Sequence, residues 1–122
     1  SNTSPGLAIL DGGNPTVRRC KIHEGQSNGI MIRQNGLGMI EDCDIFANVD
    51  REIDIYDGSN PTVRRCKIHE GQSGIVISEK SLGTIEDCDI FANAQSGIAV
   101  LAESEPTVRN CKIYNGFSGI VV

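Results

Sequence analysis

The chain has 122 residues and a formal net charge of −5. That is enough for one domain and the wrong sign for a nucleic-acid partner, which needs a basic face. Aromatic residues make up 4% and tryptophan is absent, so small aliphatics must fill a narrow core.

No apolar run approaches the roughly 18 residues of a membrane span. No secretory leader is visible, and the opening Ser1-Asn2 reads as a cleaved-tag remnant. Residues 1–4 are therefore expected to be a tag remnant or a disordered N-terminus. Residues 5–122 are expected to be a repeat domain cut from a longer protein.

In chain order the first strand signal is Leu7-Ala8-Ile9, a triplet with aliphatic outer residues. A turn-rich stretch, Asp11 to Pro15, separates it from a longer signal, Val17-Arg18-Arg19-Cys20-Lys21-Ile22. Both elements return in alternation. The triplet recurs as Ile30-Met31-Ile32, Ile53-Asp54-Ile55, Ile75-Val76-Ile77, Ile98-Ala99-Val100 and Ile120-Val121-Val122. The longer element recurs as Ile40–Ile45, Val63–Ile68, Ile85–Ile90 and Val108–Ile113. Aliphatics flank a variable middle residue in every triplet, the period-two pattern of a strand with one buried face. Short, β-branched segments punctuated by Gly, Asn and Pro do not make helices.

The cysteines give the period. Cys20, Cys43, Cys66, Cys88 and Cys111 are spaced by 23, 23, 22 and 23 residues, which is a coil length and not a metal-ligand pattern. Segment Asn14–Ser59 aligns with Asn60–Ser104 at roughly two-thirds identity, with one extra residue at Asn28. The expected architecture is all-β: a single-stranded parallel β-helix, or solenoid, of about five coils of 22–23 residues. Six stacked triplets at a strand spacing of about 4.8 Å give a rod about 25 Å long.

Each column of the repeat predicts a role. Gly25, Asn48, Gly71, Asn93 and Gly116 form a column of the two residue types most tolerant of positive φ, so a left-handed bend is expected there. Gly6, Gly29, Gly74, Gly97 and Gly119 precede the triplets, with Glu52 the exception. In the longer element Val17, Cys20 and Ile22 point inward; two residues separate the first pair, so a bend falls near Arg19. The cysteines then form an internal ladder of free thiols. Unpaired thiols favour a reducing compartment, and a cytoplasmic location is expected. His23, Phe46, His69, Phe91 and Tyr114 form a ring column expected to stack.

The outward columns alternate in sign: Arg18, Glu41, Arg64, Glu86, Arg109, and beside them Lys21, Asp44, Lys67, Asp89, Lys112. This explains the double-length repeat as a coil pair of opposite charge and sets register, because skipping a coil opposes like charges. Both outermost copies are basic, while the terminal triplets are apolar. Self-association through uncapped ends is expected, strengthening with salt.

The motif NPTVRRCKIHEG…GI.I…G.IEDCDIFAN resembles the repeats of right-handed, pectin lyase-like parallel β-helix proteins. The nearest resemblance is to the CASH-type repeats of carbohydrate-binding proteins, sugar hydrolases and F-box β-helix proteins. It covers the chain from about Pro5 to Val122 and implies a right-handed coil. It implies no single activity, since this repeat carries many. Where those repeats often have Asn, this chain has its five cysteines. No F-box segment is present, and the Asp clusters of pectate lyases and polygalacturonases have no match.

Two surfaces are candidates for function. The middle residues of the triplets, among them Met31, Asp54 and Val76, form an apolar strip with one carboxylate, suited to docking a partner protein. Three residues further on, Asp57 and Glu79 fall on adjacent coils, a separation compatible with a carboxylate pair for glycoside chemistry. Arg33 and Tyr56 lie nearby to hold a sugar. The primary expectation is a non-catalytic recognition or scaffold module binding a protein on a lateral sheet face, with Met31, Arg33, Asp54, Tyr56 and Val76 as binding residues. The alternative is a polysaccharide-binding or polysaccharide-processing module in which Asp57 and Glu79 are weak catalytic candidates. Neither reading calls for a metal or a cofactor.

Overall fold

A computed structural model describes residues 5–122; the expectation for residues 1–4 lies outside the described residues. The chain winds as a parallel β-solenoid with three sheets running along its length. The triplets form a six-stranded sheet in the order β1 (Leu7–Ile9), β4 (Ile30–Ile32), β7 (Arg51–Ile55), β10 (Ser73–Ile77), β13 (Ser96–Val100) and β16 (Ser118–Val121). A second sheet holds β2 (Thr16–Arg18), β5 (Met39–Glu41), β8 (Thr62–Arg64), β11 (Thr84–Glu86) and β14 (Thr107–Arg109). The third holds β3 (Lys21–His23), β6 (Asp44–Phe46), β9 (Lys67–His69), β12 (Asp89–Phe91) and β15 (Lys112–Tyr114).

The longer element is therefore two strands on two sheets. The bend expected near Arg19 is a full corner, set by left-handed backbone at Arg19, Asp42, Arg65, Asp87 and Asn110. Two more left-handed columns turn the remaining corners. One is Glu24, Ala47, Glu70, Ala92 and Asn115; the other begins at Asp11, Gln34, Asp57, Glu79 and Ala102. Non-glycine residues resist this conformation by about 1–2 kcal/mol each. The stack offsets that cost with hydrogen bonds between equivalent turns, such as Arg19 N to Glu41 O at 3.2 Å and Gly58 N to Glu79 O at 3.0 Å.

The left-handed residue at the second corner sits one position before the Gly/Asn column, which corrects the expectation for Gly25, Asn48, Gly71, Asn93 and Gly116. That column serves another purpose. Asn48 and Asn93 are buried, and each bridges coils. Asn48 Oδ1 accepts from Gly25 N at 3.0 Å and Asn48 Nδ2 donates to Ile22 O at 3.2 Å. Asn93 Oδ1 accepts from Gly71 N at 3.0 Å. The alternating glycines leave room: a Cβ at Gly116 would lie 2.8 Å from the Asn93 carbonyl oxygen.

Isoleucine fills the interior. Twelve isoleucines, including Ile30, Ile53, Ile75 and Ile98, form the largest fully buried side chains, each stabilising the fold by about 1.5–3 kcal/mol. Cys43, Cys66 and Cys88 are buried among them and all five cysteines are free. Each thiol donates to the carbonyl two residues back, as Cys66 Sγ does to Arg64 O at 3.3 Å. Burial pushes the Cys43 thiol above its ordinary pKa. The rings stack as the column predicts, with centroids 4.5–5.1 Å apart from His23 through Tyr114.

The charge alternation is in register: Arg18, Glu41, Arg64, Glu86 and Arg109 are successive partners. Glu41 is the hub, its side chain 6% exposed, with Arg18 Nε at 2.9 Å, Arg64 Nη2 at 2.8 Å and Arg65 Nη2 at 3.1 Å. Among the described residues no helix is long and apolar enough to cross a membrane.

Candidate functional site

The regular coils show what each position does when it is purely structural. At β13 the chain runs Asn93-Ala94-Gln95-Ser96-Gly97-Ile98-Ala99. At β7, 45 positions earlier, it runs Asn48-Val49-Asp50-Arg51-Glu52-Ile53-Asp54. The Asn and the core Ile are kept, while Gln, Ser, Gly and Ala become Asp, Arg, Glu and Asp. On the adjacent coil sits Asn28, the one inserted residue of the long repeat.

These departures converge in space. Asn28, Asp50, Arg51 and Asp54, with Gln72 from the following coil, line a recess of about 300 Å³ on the flank of the six-stranded sheet. Arg51 Nη1 meets Asp54 Oδ1 at 3.0 Å. Asn28 Nδ2 donates to Asp54 Oδ2 at 3.4 Å, and Arg51 N donates to Asn28 Oδ1 at 3.1 Å. The inserted residue thus props the strand that carries the charges. Asp54 is 7% exposed; burial pushes its carboxyl upward in pKa, and the Arg51 guanidinium opposes that shift.

Glu52 lies behind the recess, in the column otherwise occupied by glycine. Close approach requires glycine at Gly6, Gly29, Gly74 and Gly97: a Cβ at Gly29 would lie 2.6 Å from the Glu52 carbonyl oxygen and 2.9 Å from Asn48 Nδ2. Glu52 itself is fully buried. Its Oε1 accepts from Asn48 Nδ2 at 2.8 Å and from Asn48 N at 3.3 Å. Its Oε2 has no hydrogen-bond partner among the described residues. Burial raises its pKa from 4.5 to about 7, despite the two Asn48 hydrogen bonds.

The residues singled out from sequence are distributed unevenly around this recess. Asp54 lies in it. Met31 pairs with Asp54 on the neighbouring strand and is half-buried. Val76 pairs with Asp54 on the other side, stands outside the core cluster, and is only 3% exposed. The triplet strip is therefore not an open apolar patch at its centre: Val76 and Ala99 are covered, while Ala8 and Val121 at the two ends are exposed. Arg33 is half-buried with its Nε unpartnered among the described residues, and Tyr56 accepts the Ser59 hydroxyl at its carbonyl at 2.8 Å.

Asp57 and Glu79 are brought to adjacent coils, but as exposed residues on left-handed turns, with φ of 61° and 55°. Neither lines the recess, and their place in the turn column accounts for their position. Asp50, Arg51 and Gln72 were not anticipated as site residues. Laying the β7 coil over the β13 coil would have exposed two of them as outliers. No group of three or more His, Cys, Asp or Glu side chains suited to a metal ion occurs among the described residues.

A family model of the right-handed β-helix region matches residues 1–113. The chain belongs to the right-handed β-helix family, and its three-sheet parallel solenoid is that fold. No curated protein and no solved structure matches it.

Proposed function

We propose that this solenoid is a non-catalytic recognition module that engages a protein partner on the lateral face of its six-stranded sheet, at the recess around Asp54. One observation carries the reading: the departures from the repeat at Asn28, Asp50, Arg51 and Asp54 line one recess, and a further departure, the buried Glu52, lies on the same strand. Burying Asp54 and Glu52 is unfavourable for folding, so their presence is better explained by use than by stability. Met31 pairs with Asp54 in register and is half-buried, so it offers apolar surface beside the recess of the kind found at the centre of protein interfaces; Val76, on the other side, is covered. The unpaired thiols support a reducing compartment such as the cytoplasm.

Selection of displayed peptides on the chain, followed by chemical-shift mapping of the selected peptide, tests this. The expected result is saturable binding that perturbs Asn28, Met31, Asp54 and Gln72. The reading fails if no peptide binds while oligosaccharides do, perturbing Arg33, Tyr56, Asp57 and Glu79.

A further inference from the structure

We infer that the recess at Asn28, Asp50, Arg51, Asp54 and Gln72 is a subsite for a basic side chain, an arginine in first place, which displaces Arg51 from the Asp54 carboxylate. The inference rests on the lateral-face reading and names the chemistry of the group that enters.

The charge balance points to a cation. Asp50 and Asp54 outnumber Arg51 in the lining, and the chain as a whole carries −5, which speeds encounter with basic segments. The carboxylate is also under-used. Its pairing with Arg51 is a single contact, Nη1 to Oδ1 at 3.0 Å, whereas guanidinium and carboxylate can form two parallel bonds. Among the described residues its other oxygen has only the long 3.4 Å contact from Asn28. An ionised carboxylate has about four lone-pair sites, so Asp54 retains acceptor capacity.

The guanidinium already present is replaceable. The Arg51 side chain is 41% exposed while that of Asp54 is 9% exposed, so Arg51 can swing to solvent and Asp54 cannot. The recess has room for a second guanidinium: about 300 Å³ corresponds to about ten waters at about 30 Å³ each. Asn28 from the preceding coil and Gln72 from the following one add amide groups to the lining; amide oxygens accept from guanidinium N–H groups. An incoming carboxylate would meet Asp50 and Asp54 and is disfavoured by the same charges.

The test uses Nα-acetyl-arginine amide as probe, with Nα-acetyl-glutamine amide and Nα-acetyl-glutamate amide as comparators. The readout is the side-chain amide signals of Asn28 and Gln72. The arginine probe is expected to shift both signals saturably, more weakly as salt rises, and the comparators are not. Asp54→Asn, with its fold verified by thermal unfolding, is expected to weaken the response about tenfold or more, the loss of a charged hydrogen bond. Arg51→Ser, which installs the residue found at Ser96, is expected to tighten it, because the competing guanidinium is gone. A purely structural Arg51–Asp54 pair would give the opposite sign. Equal responses to all three probes, an unchanged response in Asp54→Asn, or weaker binding in Arg51→Ser overturns the inference. Should selected peptides bind this face with no basic residue required, the cation subsite is wrong while the lateral-face reading stands.

Discussion

Two coils of this molecule occupy the same place in the repeat and have been put to different ends. Around β13, Ser96 shares a hydrogen bond with Ser73, Gly97 passes close to its neighbours, and Ala99 is covered. Around β7, Arg51, Glu52 and Asp54 bring three ionisable groups into the corresponding positions, one of them fully buried. Backbone path, asparagine bridge and isoleucine core are the same in both. The comparison separates what the fold needs from what has been added to it: β13 is the solenoid at rest, and β7 carries features that the solenoid does not require.

The shared layer sets the largest effects. Ile53→Ala and Ile98→Ala each empty a fully buried site and are expected to cost about 2–5 kcal/mol, similar in the two coils. Denaturant titration measures both; a much smaller loss at Ile53 would mean that the β7 coil is already loosely packed.

Glu52 distinguishes the coils by pH. Its pKa is raised from 4.5 to about 7 in the folded chain. Between those values the native state holds a proton that the unfolded chain has shed. Stability therefore falls as pH rises through this window, by about 1.4 kcal/mol per unit and about 3 kcal/mol in total. Above the folded pKa this contribution is constant. Glu52→Gln keeps an acceptor for Asn48 and has nothing to ionise. It is expected to flatten the profile and to exceed the parent in stability at pH 8. A parent whose stability does not fall between pH 5 and pH 7.5 would contradict the burial of this carboxyl.

The reverse exchange probes the regular coil. Gly97→Ala would press a Cβ against Ile113 and lie 3.0 Å from the Gly119 carbonyl oxygen, and is expected to cost about 1–3 kcal/mol. The smallest effect belongs to the corners that both coils share. Ala47 and Ala92 hold φ near +55°, so Ala→Gly at either relieves strain at the expense of unfolded-chain entropy. A gain of about 0.5 kcal/mol is expected, equal at both positions.

The sequence exposes what is repeated. The cysteine spacing, the aliphatic triplets, the ring stack and the sign alternation each repeat once per coil or per coil pair, and each appears in the structure as a ladder. What it hides is geometry within a coil. Two strands around Arg19 look like one, because inward Val17, Cys20 and Ile22 keep their order across a corner. The left-handed positions fall on Glu24, Ala47, Glu70 and Ala92, residue types with no special taste for that conformation, and on one that has it, Asn115. The Gly/Asn column beside them drew attention for its composition, and its actual task is a bridge between coils. Asp57 and Glu79 drew attention because carboxylates on adjacent coils are close; that they are exposed and sit on left-handed turns was not legible. Of the recess, Asp54 was legible as the one charged residue among the middle positions. Asp50 and Arg51 were not, because a polar residue in a corner attracts no notice until its counterpart in a regular coil is set beside it.

The most direct measurement replaces the β7 residues by those of β13: Asp50→Gln, Arg51→Ser, Glu52→Gly and Asp54→Ala in one chain. If the β7 residues are kept for recognition at some cost to the fold, this chain unfolds about 10 °C higher at pH 8 and no longer shifts with the arginine probe. A chain that unfolds at or below the parent temperature, or that still answers the probe, contradicts the account.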